Sequence, residues 1–203
     1  MATTSWTRTD WTSYAPSTSR RHGTWRGLET VSGGVYDIYL AALACPVQEL
    51  SMRLGPIVEF GPIIPIVSAA KVSSLALWTA IDYVFDAKFG LPPVLLVLGK
   101  ASPGLQELSL AIHIVDCEED MHIAFERILR PIISLPIRAF AMILYLDETD
   151  DVHGSPVDRF LAGLDFTQRA QDVLSASTNL QKVEIGMHAH PTRGNVTARA
   201  VRD

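Results

Sequence analysis

The sequence predicts an α/β solenoid, with parallel strands laid side by side in chain order and helices on one face of the sheet. Three observations carry this. Five ten-residue segments align with one another without gaps. Each follows a longer apolar stretch, and several of these stretches have helical spacing. Within each segment the last apolar residues alternate with small or polar ones, as in a strand buried on one side only.

Taken in order, residues 1–24, "MATTSWTRTDWTSYAPSTSRRHGT", are dense in Ser and Thr and have no apolar period, which predicts a disordered tail. Trp6 and Trp11 are unusual in such a tail; docking onto the body is favoured over a short adhesive motif. A single domain is expected over residues 25–190. Its first segment, "CPVQELSMRL" (45–54), follows "VYDIYLAALA" (35–44). The second, "AKVSSLALWT" (70–79), follows "GPIIPIVSAA" (61–70), and the third, "PGLQELSLAI" (103–112), follows "LPPVLLVLGKA" (91–101). The prolines at 62, 65, 92 and 93 argue against regular helices in these two connectors. "LPIRAFAMIL" (135–144) follows "AFERILRPIISL", and "TNLQKVEIGM" (178–187) follows a connector in which Phe160, Leu161, Leu164, Val173 and Leu174 fit one helix face.

The repeat is an apolar residue, two others, an apolar residue, one other, and a third apolar residue. The triplets are Val47-Leu50-Met52, Val72-Leu75-Leu77, Leu105-Leu108-Leu110, Ile137-Phe140-Met142 and Leu180-Val183-Ile185. Spacings between copies are 25, 33, 32 and 43 residues, so the units are long and irregular. A helix–strand unit cannot hide its apolar side alone, and stacking buries it. The closing segment, "PTRGNVTARAVRD" (191–203), reads as a second tail.

Composition narrows the function classes. The net charge of −5 is mild and gives no footprint for nucleic acid. Residues 28–190 carry ten basic and twenty acidic side chains, so an acidic body lies between basic ends. Two cysteines, Cys45 and Cys117, make neither a disulfide framework nor a metal motif and read as reduced thiols. No apolar signal core opens the chain. The most apolar runs, 60–70 and 89–99, are broken by proline and too short to span a membrane. A soluble intracellular protein, cytoplasmic or nuclear, is expected.

The segments "LQELSL" and "LQKVEI" resemble the strand portion of leucine-rich repeats, and the long irregular units are similar to those of fungal F-box-type proteins. The resemblance covers roughly residues 40–190. It implies a leucine-rich-repeat-like domain of about five repeats that holds a protein partner. In that family an F-box also docks onto a ubiquitin-ligase adaptor. Here no F-box is read before the repeats. "LPPVLLVLGKA" resembles an F-box opening in its prolines but lacks the acidic residue after them. The family's Asn after the third apolar position is absent too.

Outward positions of stacked strands form rows. One row holds Arg53, Trp78, Ala111, Ile143 and Gly186; two residues on come His113, Tyr145 and His188. Arg, Trp, Tyr and His together match the chemistry of binding hot spots. The loops "DCEEDMH" (116–122) and "DETDDVH" (147–153) would lie side by side. They would gather Asp116, Glu118, Glu119 and Asp120 against Asp147, Glu148, Asp150 and Asp151 in an acidic rim suited to a basic partner. "MHAH" (187–190) would put His188 and His190 on one strand face, but no third ligand accompanies them. No nucleophile elbow, phosphate loop or dinucleotide fingerprint is present, so no catalytic residue, metal or cofactor is assigned. The expected function is non-catalytic protein binding. The alternatives are a small parallel α/β enzyme and a gene fragment with no role of its own.

Overall fold

In a computed structural model the described residues are 26–55 other than 42 and 44, 61–85, 90–114, 120–146, and 154–202 other than 191. A seven-stranded sheet runs in strict chain order. It comprises β1 (Leu28–Gly34), β2 (Val47–Arg53), β3 (Ser74–Ala80), β4 (Glu107–Ile114), β5 (Ala139–Leu146), β6 (Lys182–His190) and β7 (Gly194–Val201). The first six are parallel and β7 is antiparallel to β6. The register is the ungapped alignment of the sequence: Leu50, Leu75, Leu108, Phe140 and Val183 are successive partners, and so are Met52, Leu77, Leu110, Met142 and Ile185. The first apolar residues of the triplets, Val47, Val72, Leu105, Ile137 and Leu180, are buried as well. Backbone pairing continues into the segments before the strands, with Gln106 N–H donating to Ser73 O, Arg138 N–H to Gln106 O and Gln181 N–H to Arg138 O, at 2.7 to 2.8 Å.

Each connection between successive parallel strands carries one helix or two: α1 (Val35–Leu40), α2 (Ile63–Ala70), α3 (Asp82–Phe85), α4 (Leu91–Ala101), α5 (Met121–Ser134), α6 (Pro156–Gly163) and α7 (Phe166–Ala176). The proline-rich connectors are helices after all. Pro62 is the N-cap of α2, and Pro65, Pro92 and Pro93 lie in first turns, where a backbone N–H has no acceptor within the helix. The last connector is two helices rather than one. The chain turns at Leu164 and Asp165, and the Asp165 carboxylate caps α7 by accepting from Gln168 N–H at 3.0 Å.

The core is continuous and lies on one side of the sheet. Leu108, Leu110, Ile112 and Ile114 of β4 point into it, while Glu107, Ser109 and His113 face out. The two ends of the sheet also differ from the expectation. A sixth parallel strand, β1, precedes the five aligned segments. The expected tail 191–203 contains β7, whose small inward residues Val196, Ala198 and Ala200 give a weak apolar signal. Residues 1–24 lie outside the described residues.

β7 closes the sheet with charged hooks. Arg193 Nη1 donates to the carbonyls of Leu161, Ala162 and Leu164 at 2.9, 3.1 and 3.1 Å, at the end of α6. Arg202 donates to those of Leu174, Ser177 and Thr178 at 2.7, 2.8 and 3.2 Å, at the end of α7. These cations meet carbonyls at the negative ends of helices. Gly186 lets β7 approach: a Cβ there would meet Val196 O at 2.5 Å.

Candidate interaction face

The sheet face opposite the helices is built from the alternate residues of each strand. Towards the C-terminal ends, Arg53, Trp78, Ala111, Ile143 and Gly186 are successive partners, and Ala80, His113, Tyr145 and His188 form the next row. Both expected rows are therefore real. Ala111, beside Trp78, leaves room for the indole to lean over. Trp78, His113 and Tyr145 form a triangle with ring centroids 5.9 Å (Trp78–His113), 5.5 Å (Trp78–Tyr145) and 5.2 Å (His113–Tyr145) apart. His188 meets Tyr145 edge-on at 5.1 Å. Such pairs are attractive beyond the area they bury. His113 is exposed, and Trp78, Tyr145 and His188 are half-buried. Partial burial pushes the Tyr145 phenol above its ordinary value, so near neutrality it is a neutral donor and acceptor. Arg53, exposed beside Trp78, adds the one charge in this row.

Further down the strands the face changes character, which the sequence reading did not single out. Ser51, Ala76, Ser109 and Ala141 are partners in a floor of small residues. Beyond it lie Glu49, Ser74, Glu107, Ala139 and Lys182. Lys182 pairs with Glu184 at 3.6 Å. An aromatic and imidazole wall thus stands over a shallow floor with carboxylates on its far side. It offers stacking surface, hydrogen-bonding groups at ring edges and negative charge. An open depression of about 480 Å³ lies at the opposite ends of the strands, bordered by Leu28, Val47, Lys71 and Ser73, away from this wall.

Of the expected acidic rim, one member falls within the described residues. Asp120 is exposed and caps α5, accepting from His122 N–H at 2.8 Å. Asp116, Glu118, Glu119, Asp147, Glu148, Asp150 and Asp151 lie outside the described residues. His188 and His190 do not share a face. Ala189 has φ +61° and the pairing with β7 slips between Met187 and His190, a bulge that turns His190 inward. Buried there, His190 accepts at Nδ1 from the N–H groups of Thr192 and Arg193, at 3.2 and 3.3 Å. Its Nε2 lies 3.1 Å from Asp158 Oδ1 without the alignment of a hydrogen bond. The pair stitches α6 to the β6–β7 turn, a role no spacing in the sequence announced. Among the described residues no three His, Cys, Asp or Glu side chains gather as a metal site, and no helix is long and apolar enough to cross a membrane.

No family model, curated protein or solved structure matches the chain.

Proposed function

We propose that the chain is a non-catalytic protein-binding module, a leucine-rich-repeat-like solenoid that holds its partner on the open sheet face. The observation that carries this reading is the cluster of His113, Tyr145 and His188, in register on three adjacent strands, with Trp78 of the next strand one row before them, all facing away from the helices. Rigid aromatic groups on a pleated sheet are pre-organised, so a partner bears little ordering cost on this side. The acidic excess of the body favours a partner with a basic patch. The role fits the substrate-holding part of an F-box-type ubiquitin-ligase receptor. A parallel α/β enzyme usually places its site where the strand order reverses, and the order here runs without reversal.

The test uses the full chain as bait under mild cross-linking, beside His113→Ala/Tyr145→Ala. The partner that the wild type retains is then purified and its affinity measured for both. A tenfold or greater loss in the variant, about 1.4 kcal/mol, with an unchanged melting temperature, is the expected result. Equal affinity for the two baits would refute the reading.

A further inference from the structure

The open face has a second half, away from the aromatic wall. Glu49, Ser74 and Glu107 are successive partners on β2, β3 and β4, and both carboxylates are exposed. Among the described residues the Glu107 carboxylate makes no hydrogen bond or ion pair, and that of Glu49 meets the Thr30 hydroxyl at 3.5 Å. Glu184, by contrast, is already paired with Lys182. Glu49 and Glu107 stand two strands apart, about 9.6 Å at the ordinary strand spacing. Arg53 and Trp78 lie four residues along their strands from this row, about 13 Å away. The floor between is Ser51, Ala76 and Ser109. A shallow trough thus runs across the strands, with indole and positive charge on one bank and carboxylates on the other. The backbone groups of β3 are committed to β2 and β4, so an occupant of the trough meets side chains alone.

We infer that this trough takes a proline-rich segment of a partner, in the polyproline II conformation, with Arg or Lys at every third position. The inference rests on the reading of the open face as a protein-binding surface. Charge decides the sign of the partner: two carboxylates without a counter-charge face the trough, while Arg53 on the opposite bank repels cations and steers them towards Glu49 and Glu107. Spacing decides its conformation. Three residues of polyproline II advance about 9.3 Å, close to the separation of the two carboxylates. Same-side residues of a β-strand recur at about 6.7 Å and fit it less well. A strand laid here would also lack a ladder partner, whereas the polyproline II backbone needs none. Such a segment is stiff before it binds, so little ordering entropy is lost, and its rings pack on aromatic side chains. Trp78, held against Tyr145 at 5.5 Å, stands on the bank where those rings pack.

The probe is a fluorescein-labelled peptide of prolines with arginine at every third position, titrated by anisotropy against the full chain. Two comparison peptides accompany it: one with aspartate in place of each arginine, and an alanine-rich helical one with the same number of arginines. The wild type should bind the first at least tenfold more tightly than either of the others. Glu49→Gln/Glu107→Gln keeps the size of both exposed side chains and should melt as the wild type does. It should bind the first peptide at least tenfold more weakly and lose less affinity when salt is added. The inference is overturned by no saturable binding of the first peptide, by equal affinity for the alanine-rich one, or by a variant that binds as the wild type does. Failure of the peptide beside a partner that still depends on His113 and Tyr145 strikes this inference alone. A partner indifferent to those two residues strikes the reading beneath it.

Discussion

Glu107 and Leu108 are chain neighbours on β4 in opposite surroundings, one in water and the other sealed at 1% exposure. Leu108→Asp would place an uncompensated carboxylate in the core and remove apolar packing, at a cost of about 4 kcal/mol or more. That is a large part of the stability of an ordinary domain. The variant should be unfolded at 37 °C by circular dichroism, whereas Glu107→Lys should melt within a degree or two of the wild type. Equal melting of the two would reverse the assigned faces. Tyr145 offers a second test at this scale. Burial holds its folded value above 10.0, while the unfolded phenol ionises at about 10. The folded state therefore keeps a proton that the unfolded state releases. The associated stability is complete below pH 10.0 and disappears as pH rises through the folded value. Carbon-13 titration of Tyr145 Cζ should give a midpoint above 10.0; a midpoint at or below it would show that the ring is not shielded in its cluster. Tyr83 shifts the same way, from burial and then from Asp82, so Tyr145→Phe should remove only part of the alkaline loss.

Elements were legible in proportion to how much of their stability comes from their own apolar pattern. The β2–β6 register could be read directly, because Leu50, Leu75, Leu108, Phe140 and Val183 each recur after the same two-residue gap and each is buried. β1 and β7 were missed because their inward residues are few or small: Val31 is the single buried residue of β1, and Ala200 that of β7. Such strands are held by a neighbouring strand and by hooks elsewhere, which a one-dimensional pattern does not encode. The outward rows followed from the register, so Arg53, Trp78, His113, Tyr145 and His188 were legible. The inward turn of His190 was not, because a bulge breaks the period of two at Ala189. Arg202 looked like part of a basic tail, yet it closes the end of α7 with three carbonyl contacts. Arg202→Ala should cost about 1 kcal/mol, lowering the melting temperature by roughly 3 °C for a chain of this size. The loss should appear as faster exchange at the C-terminal turn of α7, and Arg202→Lys should restore only part of it, because an ammonium lacks the guanidinium fork. Full rescue by lysine would mean that charge alone matters.

For the whole molecule, the strict chain order of the strands has a mechanical consequence. Each parallel unit touches mainly the units before and after it, so stability is closer to a chain of neighbour terms than to a single all-or-none core. Damage at one end should therefore stay there. Gly186 is the place to apply it, because an added Cβ would lie 2.5 Å from Val196 O, 2.9 Å from Thr197 Oγ1 and 3.1 Å from Thr197 Cα. Two of these are backbone atoms of the facing strand, which cannot swing aside as a side-chain tip can. Gly186→Ala should push β7 away, lengthen the reach of Arg193 and Arg202 to their helix ends, and loosen His190 from the turn. Native-state amide exchange should then rise in β6, β7 and α7 while β2 and β3 keep the protection of the wild type. Against this stands the continuity of the hydrophobic cluster, which runs from Val31 to Ala200 without a gap. If that continuity governs, exchange will rise by one common factor in every strand. A common factor would mean that the units unfold together and that the neighbour-by-neighbour picture fails for this sheet.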